Sequence, residues 1–296
     1  MEGYTVLQQA INYIEAHLLE DIHFETIARQ VHMSGYEFHR AFRFLSGMTV
    51  NTYIRNRRLS LAGQELLETN ARITDIAFKY GYETPESFTK AFTRFHGAAP
   101  KYARQPGTSL KLFHPLAVKI TMEGGKTMDY RLEHVGDQRF LALVRSFPNS
   151  VATEPGSHDI ADFWGEPETR KLVDQLRTLR PAGKKDLYGL CSPKGEDFFE
   201  YGIGIRLDEE TAPFDEADLL RAGYQLWTIR PSTFVVLDCT GTTGDSIEAM
   251  WTRFYREFQP QMGYQAAKEA DYEVYFEIEK PNLFCELWIP VEKSTQ

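Results

Sequence analysis

Two sets of side chains in this sequence have types and spacing suited to binding. In the first, Phe284, Glu286 and Trp288 alternate along one side of an apolar run, so a carboxylate stands between two aromatic rings. The carboxylate supplies charge and the rings supply cation–π contact and stacking, which together make a seat for an organic cation. Phe198 and Glu200 repeat the arrangement on a second run, where Gly202 and Gly204 leave room for a ligand, and Tyr275 alternates onto one side with Glu273 and Glu277. The second set is helical. Tyr36, His39, Arg40 and Arg43 lie opposite an apolar stripe in one segment, as do Glu86, Thr89 and Lys90 in another. Residues of these types near a helix N-terminus can touch base edges in a major groove, while the basic ones also suit phosphate.

The elements that would present the helical set come in two copies. Phe38-x-x-Ala41-Phe42-x₄-Gly47 recurs as Phe88-x-x-Ala91-Phe92-x₄-Gly97, and Ile27-Ala28 recurs as Ile76-Ala77. The offset is 49 at the Ile-Ala pair and 50 from Phe38 onward, so the second turn carries one extra residue. Ser34 with Glu37 spells a capping box, Thr84-Pro85 a cap followed by proline at the first helical position, and Gly47 and Gly97 are stops. Phe38, Ala41, Phe42 and Leu45, like Phe88, Ala91, Phe92 and Phe95, form the buried stripes. Six helices fit between residues 4 and 96, and Thr49 to Glu68 reads as one rod of ~30 Å. That is close to the ~34 Å repeat of B-DNA, so a monomer could place both reading helices in successive major grooves. The outward residues could equally form a solvated face.

Composition narrows the classes. With 42% hydrophobic and 25% charged residues, the chain is an ordinary soluble globular sequence, long enough for two domains or three small ones. It has no apolar run of membrane-spanning length, no signal-peptide pattern and no phosphate-binding glycine loop. Cys191, Cys239 and Cys285 are spaced as reduced cytoplasmic thiols, and nothing points to a metal or cofactor. The net charge of −9 divides unevenly: residues 1–105 hold twelve basic against eleven acidic residues, which leaves −10 on the remainder. The basic residues of the front half cluster as Arg40 and Arg43, then Arg55, Arg57 and Arg58, then Lys90 and Arg94, and local clusters are what phosphates feel.

The expected organisation is an all-α domain over 1–105 with two helix–turn–helix units joined by a long helix, a junction over 106–127, and an α+β domain over 128–296. The junction is marked by Pro106-Gly107, Pro115 and Gly124-Gly125. The last domain reads as a duplicated ββαββ with antiparallel sheet. Strands fall near 129–133, 140–144, 187–191 and 199–207, then 224–229, 234–239, 272–278 and 284–291. Helices fall at 158–179 and 246–258.

Residues 24–104 resemble the DNA-binding domain of the AraC/XylS transcription regulators. The likeness rests on Ile27-Ala28-x₄-Met33-Ser34, Phe42-x₄-Gly47-Met48-Thr49, Tyr53-x-x-x-Arg57-Arg58-Leu59 and Ile76-Ala77-Phe78-x-x-Gly81-Tyr82. It implies base contacts from Tyr36, His39 and Arg40 and from Glu86, Thr89 and Lys90. Family members often carry arginine where Lys90 stands; lysine offers a point charge without the fork that grips guanine, so the second helix is expected either to read sequence loosely or to contact phosphate only. Tyr272-Glu273-Val274-Tyr275-x-Glu277, followed by Glu286-Leu287-Trp288-Ile289-Pro290-Val291, resembles the end of the GyrI-like effector-binding domain. That resemblance spans about residues 128–292. It implies a small-molecule pocket between pseudo-repeats, with an acidic residue that favours lipophilic cations and that Glu286 matches.

The combined expectation is a cytoplasmic, ligand-responsive transcription regulator, monomer or homodimer, that binds double-stranded DNA and an amphipathic cation. RNA polymerase is a further partner on this reading, and no membrane is involved. Two other readings stay open. The last domain could hydrolyse strained electrophiles, with Glu286 and Tyr275 or Tyr188 activating water, or it could dock a protein partner without any ligand.

Overall fold

The computed structural model describes residues 2–105, 107–118, 127–148, 159–194 and 198–293. Gly124-Gly125 and the expected helix start at His158 lie outside these. The chain divides into two compact units, Met1–Gly35 with Ser46–Thr121, and Tyr36–Leu45 with Met122–Gln296. This departs from boundaries at 105 and 128 in two ways. The segment after residue 105 groups with the helices, and most of the third helix groups with the sheet.

The six helices expected before residue 96 are present: α1 (Glu2–Ala16), α2 (Phe24–Gln30), α3 (Gly35–Ser46), α4 (Val50–Glu68), α5 (Ile73–Lys79) and α6 (Pro85–His96). Thr49 caps α4 by accepting the Thr52 amide at 3.0 Å, and Thr84 caps α6 by accepting that of Ser87 at 3.1 Å. In the helical unit, α4, α5 and α6 bury Leu59, Ala62, Leu66, Ile76, Ala77, Phe88 and Phe92 in one cluster. The turn after α2 and the turn after α5 close alike: the Met33 amide donates to Ala28 O and the Tyr82 amide to Ala77 O. Each turn needs one left-handed residue. The second supplies Gly81 at φ 80°, whereas the first uses His32, exposed, at φ 57°.

Residues 110–118 form a strap held by side chains of the helical unit. Ser60 accepts the Phe113 amide, Tyr53 the Leu116 amide and Gln8 the Val118 amide, while Arg57 donates to Phe113 O. His96 spans the same seam. Its Nδ1 accepts the Lys111 amide and its Nε2 lies 3.0 Å from Leu59 O, a pair of partners that fits the neutral ring with the proton on Nε2. Arg57, expected to serve phosphate, is instead buried on Glu15, and Arg58 donates to Leu18 O and Glu20 O. Arg55 does stay exposed.

The sheet unit strings together β1 (Arg131–Val135), β2 (Gln138–Pro148), α7 (Asp159–Gly165), α8 (Pro167–Arg177), β3 (Leu187–Lys194), β4 (Phe198–Leu207), α9 (Glu216–Arg221), β5 (Tyr224–Ile229), β6 (Ser232–Thr240), α10 (Asp245–Arg253), a π-helical turn (Phe254–Phe258), α11 (Gln259–Met262), β7 (Tyr264–Ala266), β8 (Asp271–Tyr275) and β9 (Leu283–Lys293). The expected single helix over 158–179 is broken at Glu166, just before Pro167, and α9 and β7 were not foreseen. All strands pair antiparallel in one sheet ordered β1-β6-β9-β8-β3-β4-β2-β5, with β7 on β9. One face lies under helices, where α8 brings Leu176 onto Leu141, Ile205 and Tyr224. The other face curls on itself around Phe140, Leu190, Phe234, Val236 and Tyr272.

Replacing His32 by glycine should stabilise the chain by about 0.5–1 kcal/mol, because the αL penalty of an L side chain exceeds the added freedom of glycine when unfolded. An unchanged or lowered urea midpoint for His32→Gly would contradict this account of the turn.

Candidate functional site

On α6 the polar residues stand as the helical period requires. Glu86, Lys90, Thr93 and Arg94 are exposed and Thr89 half-buried, and with Pro85 they line an open depression. On α3 the outcome is different, and the expected outward face needs correction. Tyr36, His39 and Arg43 are all buried, and the Arg40 side chain is 11% exposed. Tyr36, Arg40 and Arg43 spend their polar atoms inside the sheet unit.

That burial has a centre. The helix-covered face of the sheet carries Asp271, Glu273 and Tyr275 on β8, in register with Cys191, Gly189 and Leu187 on β3, and Glu273 also pairs with Leu287 on β9. Two carboxyl groups therefore sit on an otherwise apolar surface, each less than a tenth exposed. Arg40 answers the first. Its Nη1 and Nη2 donate to Asp271 at 2.6 and 3.1 Å, Nη1 also donates to the Tyr36 hydroxyl at 2.8 Å, and the guanidinium lies 3.5 Å from the Trp251 ring centroid. Forked pairing plus a ring face is what a planar cation needs in place of water. The Tyr36 hydroxyl lies 2.8 Å from Cys191 Sγ, and its ring joins Phe147, Phe163 and Phe199. Further along α3, Arg43 donates to Glu248, Phe44 stacks on Trp251 and Tyr255, and Leu45 O accepts from Arg256.

Among the described residues, Glu273 is handled without a counter-charge in contact. Burial pushes its carboxyl up to about 8, and the Asp271 charge adds to this against the Tyr201 hydroxyl bond and Arg40. Tyr201 donates to it at 2.8 Å and accepts from Trp164 Nε1 at 3.1 Å, while Tyr275 meets Trp164 and Phe284 edge-on. Gly189 makes this possible, since a Cβ there would fall 2.1 Å from Glu273 Oε2 and 2.2 Å from the Tyr201 hydroxyl. Sequence reading missed Asp271 and Glu273 as the acidic centre. The available signal was the alternation that puts Glu273 opposite Leu287, on the all-apolar side of β9.

The expected centre at Glu286 is elsewhere. It lies on the curled face, bonded by Arg131 at 2.6 Å, Lys280 at 3.3 Å and Trp288 Nε1 at 3.1 Å, so its charge is already matched within the fold. Trp288 stacks on Tyr272 as part of that core, 5.4 Å between centroids. Phe198 is exposed and Glu200 pairs with Lys194, so neither joins the site. Gly202 and Gly204 make room for Ala142 and the β2 backbone rather than for a ligand. Among the described residues no His, Cys, Asp and Glu group is arranged to hold a metal, and no helix is long and apolar enough to cross a membrane.

A helical unit with alike turns after α2 and α5, and a helix-covered antiparallel sheet with a buried acidic centre, are thus two distinct architectures in one chain. Residues 27–105 match the helix-turn-helix domain family and residues 140–291 the family of integron-associated effector binding proteins. The chain belongs to the AraC family of transcription regulators and carries a GyrI-like effector-binding domain. Over 104 residues it is 32% identical to the HTH-type transcriptional activator AarP of Providencia stuartii, covering 35% of this chain and 77% of that one. The uncharacterized HTH-type transcriptional regulator YbfP of Bacillus subtilis is 44% identical over 94 residues, a match spanning 32% of each chain. The right origin-binding protein of Escherichia coli is similar over 99% of this chain and 100% of its own length, at 24% identity.

The raised Glu273 carboxyl has a stability signature. Its contribution is present below the unfolded value of ~4.3 and is lost as pH rises through about 8, because the unfolded chain gives up the proton first. Glu273→Gln should therefore gain stability relative to the parent between pH 5 and 8, by at most ~1.4 kcal/mol per pH unit. Parallel urea curves for the two proteins over that range would refute the assignment.

Proposed function

We propose that this transcription regulator answers to an amphipathic organic cation, which the sheet unit takes at the Asp271–Glu273 centre. The observation that carries the reading is the pair of buried carboxyl groups ringed by Trp164, Tyr201, Trp251, Tyr275 and Phe284, with a guanidinium on one of them. A buried acid without a full counter-charge favours a ligand that brings one, and the rings favour a flat or aryl-substituted ligand. Tyr275 and Phe284 keep the ligand role expected of them, while Glu273 and Asp271 take the place of Glu286.

DNA is proposed to meet Glu86, Thr89 and Lys90 of α6, and Tyr36, His39, Arg40 and Arg43 of α3 once these are free. The chemistry of both sets supports this, forked and point cations with hydrogen-bonding groups. Glu273 beside Tyr201 is also the pair that a hydrolytic reading would require, so compounds used as ligands should be recovered unaltered if the site only senses.

Tetraphenylphosphonium should quench tryptophan emission, and tetraphenylborate, of the same shape and opposite charge, should not bind. Glu273→Gln should weaken the cation by more than about tenfold. Equal binding of the two ions, or indifference to Glu273→Gln, would remove the charge from the argument. On the DNA side, Lys90→Ala should cost ~1 kcal/mol on every duplex and lower the salt slope by about 1. A loss confined to one sequence would make Lys90 a base reader instead.

A further inference from the structure

The polar face of α3 has two claimants. Its residues have the chemistry for base edges and phosphates, yet in the sheet unit Tyr36 and Arg40 fill the acidic centre. Arg40 behaves there as a bound ligand would, with a planar cation forked onto Asp271, its face on Trp251, and the phenol of Tyr36 reaching down to Cys191 among aromatic rings. We propose that Tyr36 and Arg40 are an internal effector: α3 occupies the cation seat, and an incoming cation that takes Asp271 and Trp251 displaces α3 and frees its polar face for DNA. This rests on the effector reading above and adds the manner in which the site is coupled to DNA.

Three features carry the inference. Arg40 cannot serve both partners, because both terminal nitrogens of its fork are used inside the unit, Nη1 twice. A guanine edge would need those same donors. Next, the hold on α3 is concentrated where an effector would compete. Asp271 and Arg40 are 6% and 11% exposed, while the outer pair, Arg43 with Glu248, ends on a carboxylate that is 58% exposed. Exposed pairs add little, whereas a buried fork is costly to vacate unless another cation replaces it. Lastly, vacating the seat without replacement would leave the buried Asp271 carboxyl without its guanidinium beside Glu273 on an apolar face, so the released state is open chiefly to a protein that has gained a cation.

Coupling then follows by mass action. If the cation binds only the form with α3 released, it raises the fraction competent for DNA, and by reciprocity DNA raises affinity for the cation. Arg40→Ala cannot test this, since it removes the internal ligand and a DNA contact together. Asp271→Asn and Trp251→Phe weaken the hold from the other side and leave α3 intact. DNA duplexes selected from random sequence by the full chain, with tetraphenylphosphonium present, provide the probe. Affinity is read at fixed salt with and without that cation, cation binding by tryptophan quenching, and the release of residues 36–45 by hydrogen exchange.

The cation is expected to raise parent DNA affinity about fivefold or more and to speed exchange in 36–45. Asp271→Asn should bind DNA without cation as tightly as the parent does with it, and Trp251→Phe should shift part of the way. If Asp271→Asn does not fold, Trp251→Phe decides. Variants that fold and bind DNA no more tightly than the parent would overturn the proposal. Cation binding that changes neither DNA affinity nor exchange would overturn it too while leaving the effector reading intact. No cation binding, together with a gain in DNA affinity for Asp271→Asn, would retain the internal ligand and discard the effector reading.

Discussion

Burying two carboxyl groups on alternate residues of one strand is the constraint around which the sheet unit is arranged. An unpaired carboxylate in an apolar interior costs several kcal/mol, and two side by side cost more through mutual repulsion. The fold solves each differently. Asp271 takes a guanidinium, whereas Glu273 is held toward its protonated form by burial and takes a phenol hydroxyl. The second solution explains Gly189 on the neighbouring strand, where a side chain would strike both the carboxyl and the phenol. It also explains why Trp164 turns its N–H onto Tyr201, which must donate to Glu273 and so has an acceptor lone pair left.

Much of the helical unit was legible because its signals are local. The Phe88-x-x-Ala91-Phe92 stripe, Thr84 as cap and Pro85 at the first turn of α6 are each settled within a few residues of sequence. The strap at 110–118 was not legible as part of this unit. It has no apolar period, and its hold comes from Ser60, Tyr53, Gln8 and Arg57, polar residues on helices already accounted for. Arg57 and Arg58 looked like phosphate contacts for the same reason. A run of arginines in sequence does not distinguish guanidiniums that meet solvent from those that satisfy Glu15 or the carbonyls of Leu18 and Glu20.

In the sheet unit the strands and their faces were readable and the acidic centre was not. Alternation correctly put Cys285, Leu287 and Ile289 on the apolar side of β9, but a carboxylate between two rings on the other side proved a poor marker of a site. Glu286 is matched by Arg131, which lies 155 residues away, and nothing local announces that pairing. The better marker was subtler: an acid whose partner across the sheet is apolar. A polar residue among polar ones is usually surface, whereas Glu273 opposite Leu287 has to be explained.

The misplacement of α3 follows from recognition chemistry itself. A helix that reads DNA needs planar donors, a phenol or imidazole, and spare positive charge on one face, because the major groove offers acceptor edges and phosphates. A buried acidic centre lined by aromatic rings asks for the same donors and the same flat shapes, so amphipathic pattern alone cannot say which surface Tyr36 and Arg40 will meet. The choice between them is set by relative free energies, and those energies are close to hand for a small ligand. One cation on Asp271 substitutes for one guanidinium, charge for charge, without repacking the sheet that holds the seat. A regulator built this way needs no distant relay, because the residue that would read DNA and the group that would detect the effector are already in contact.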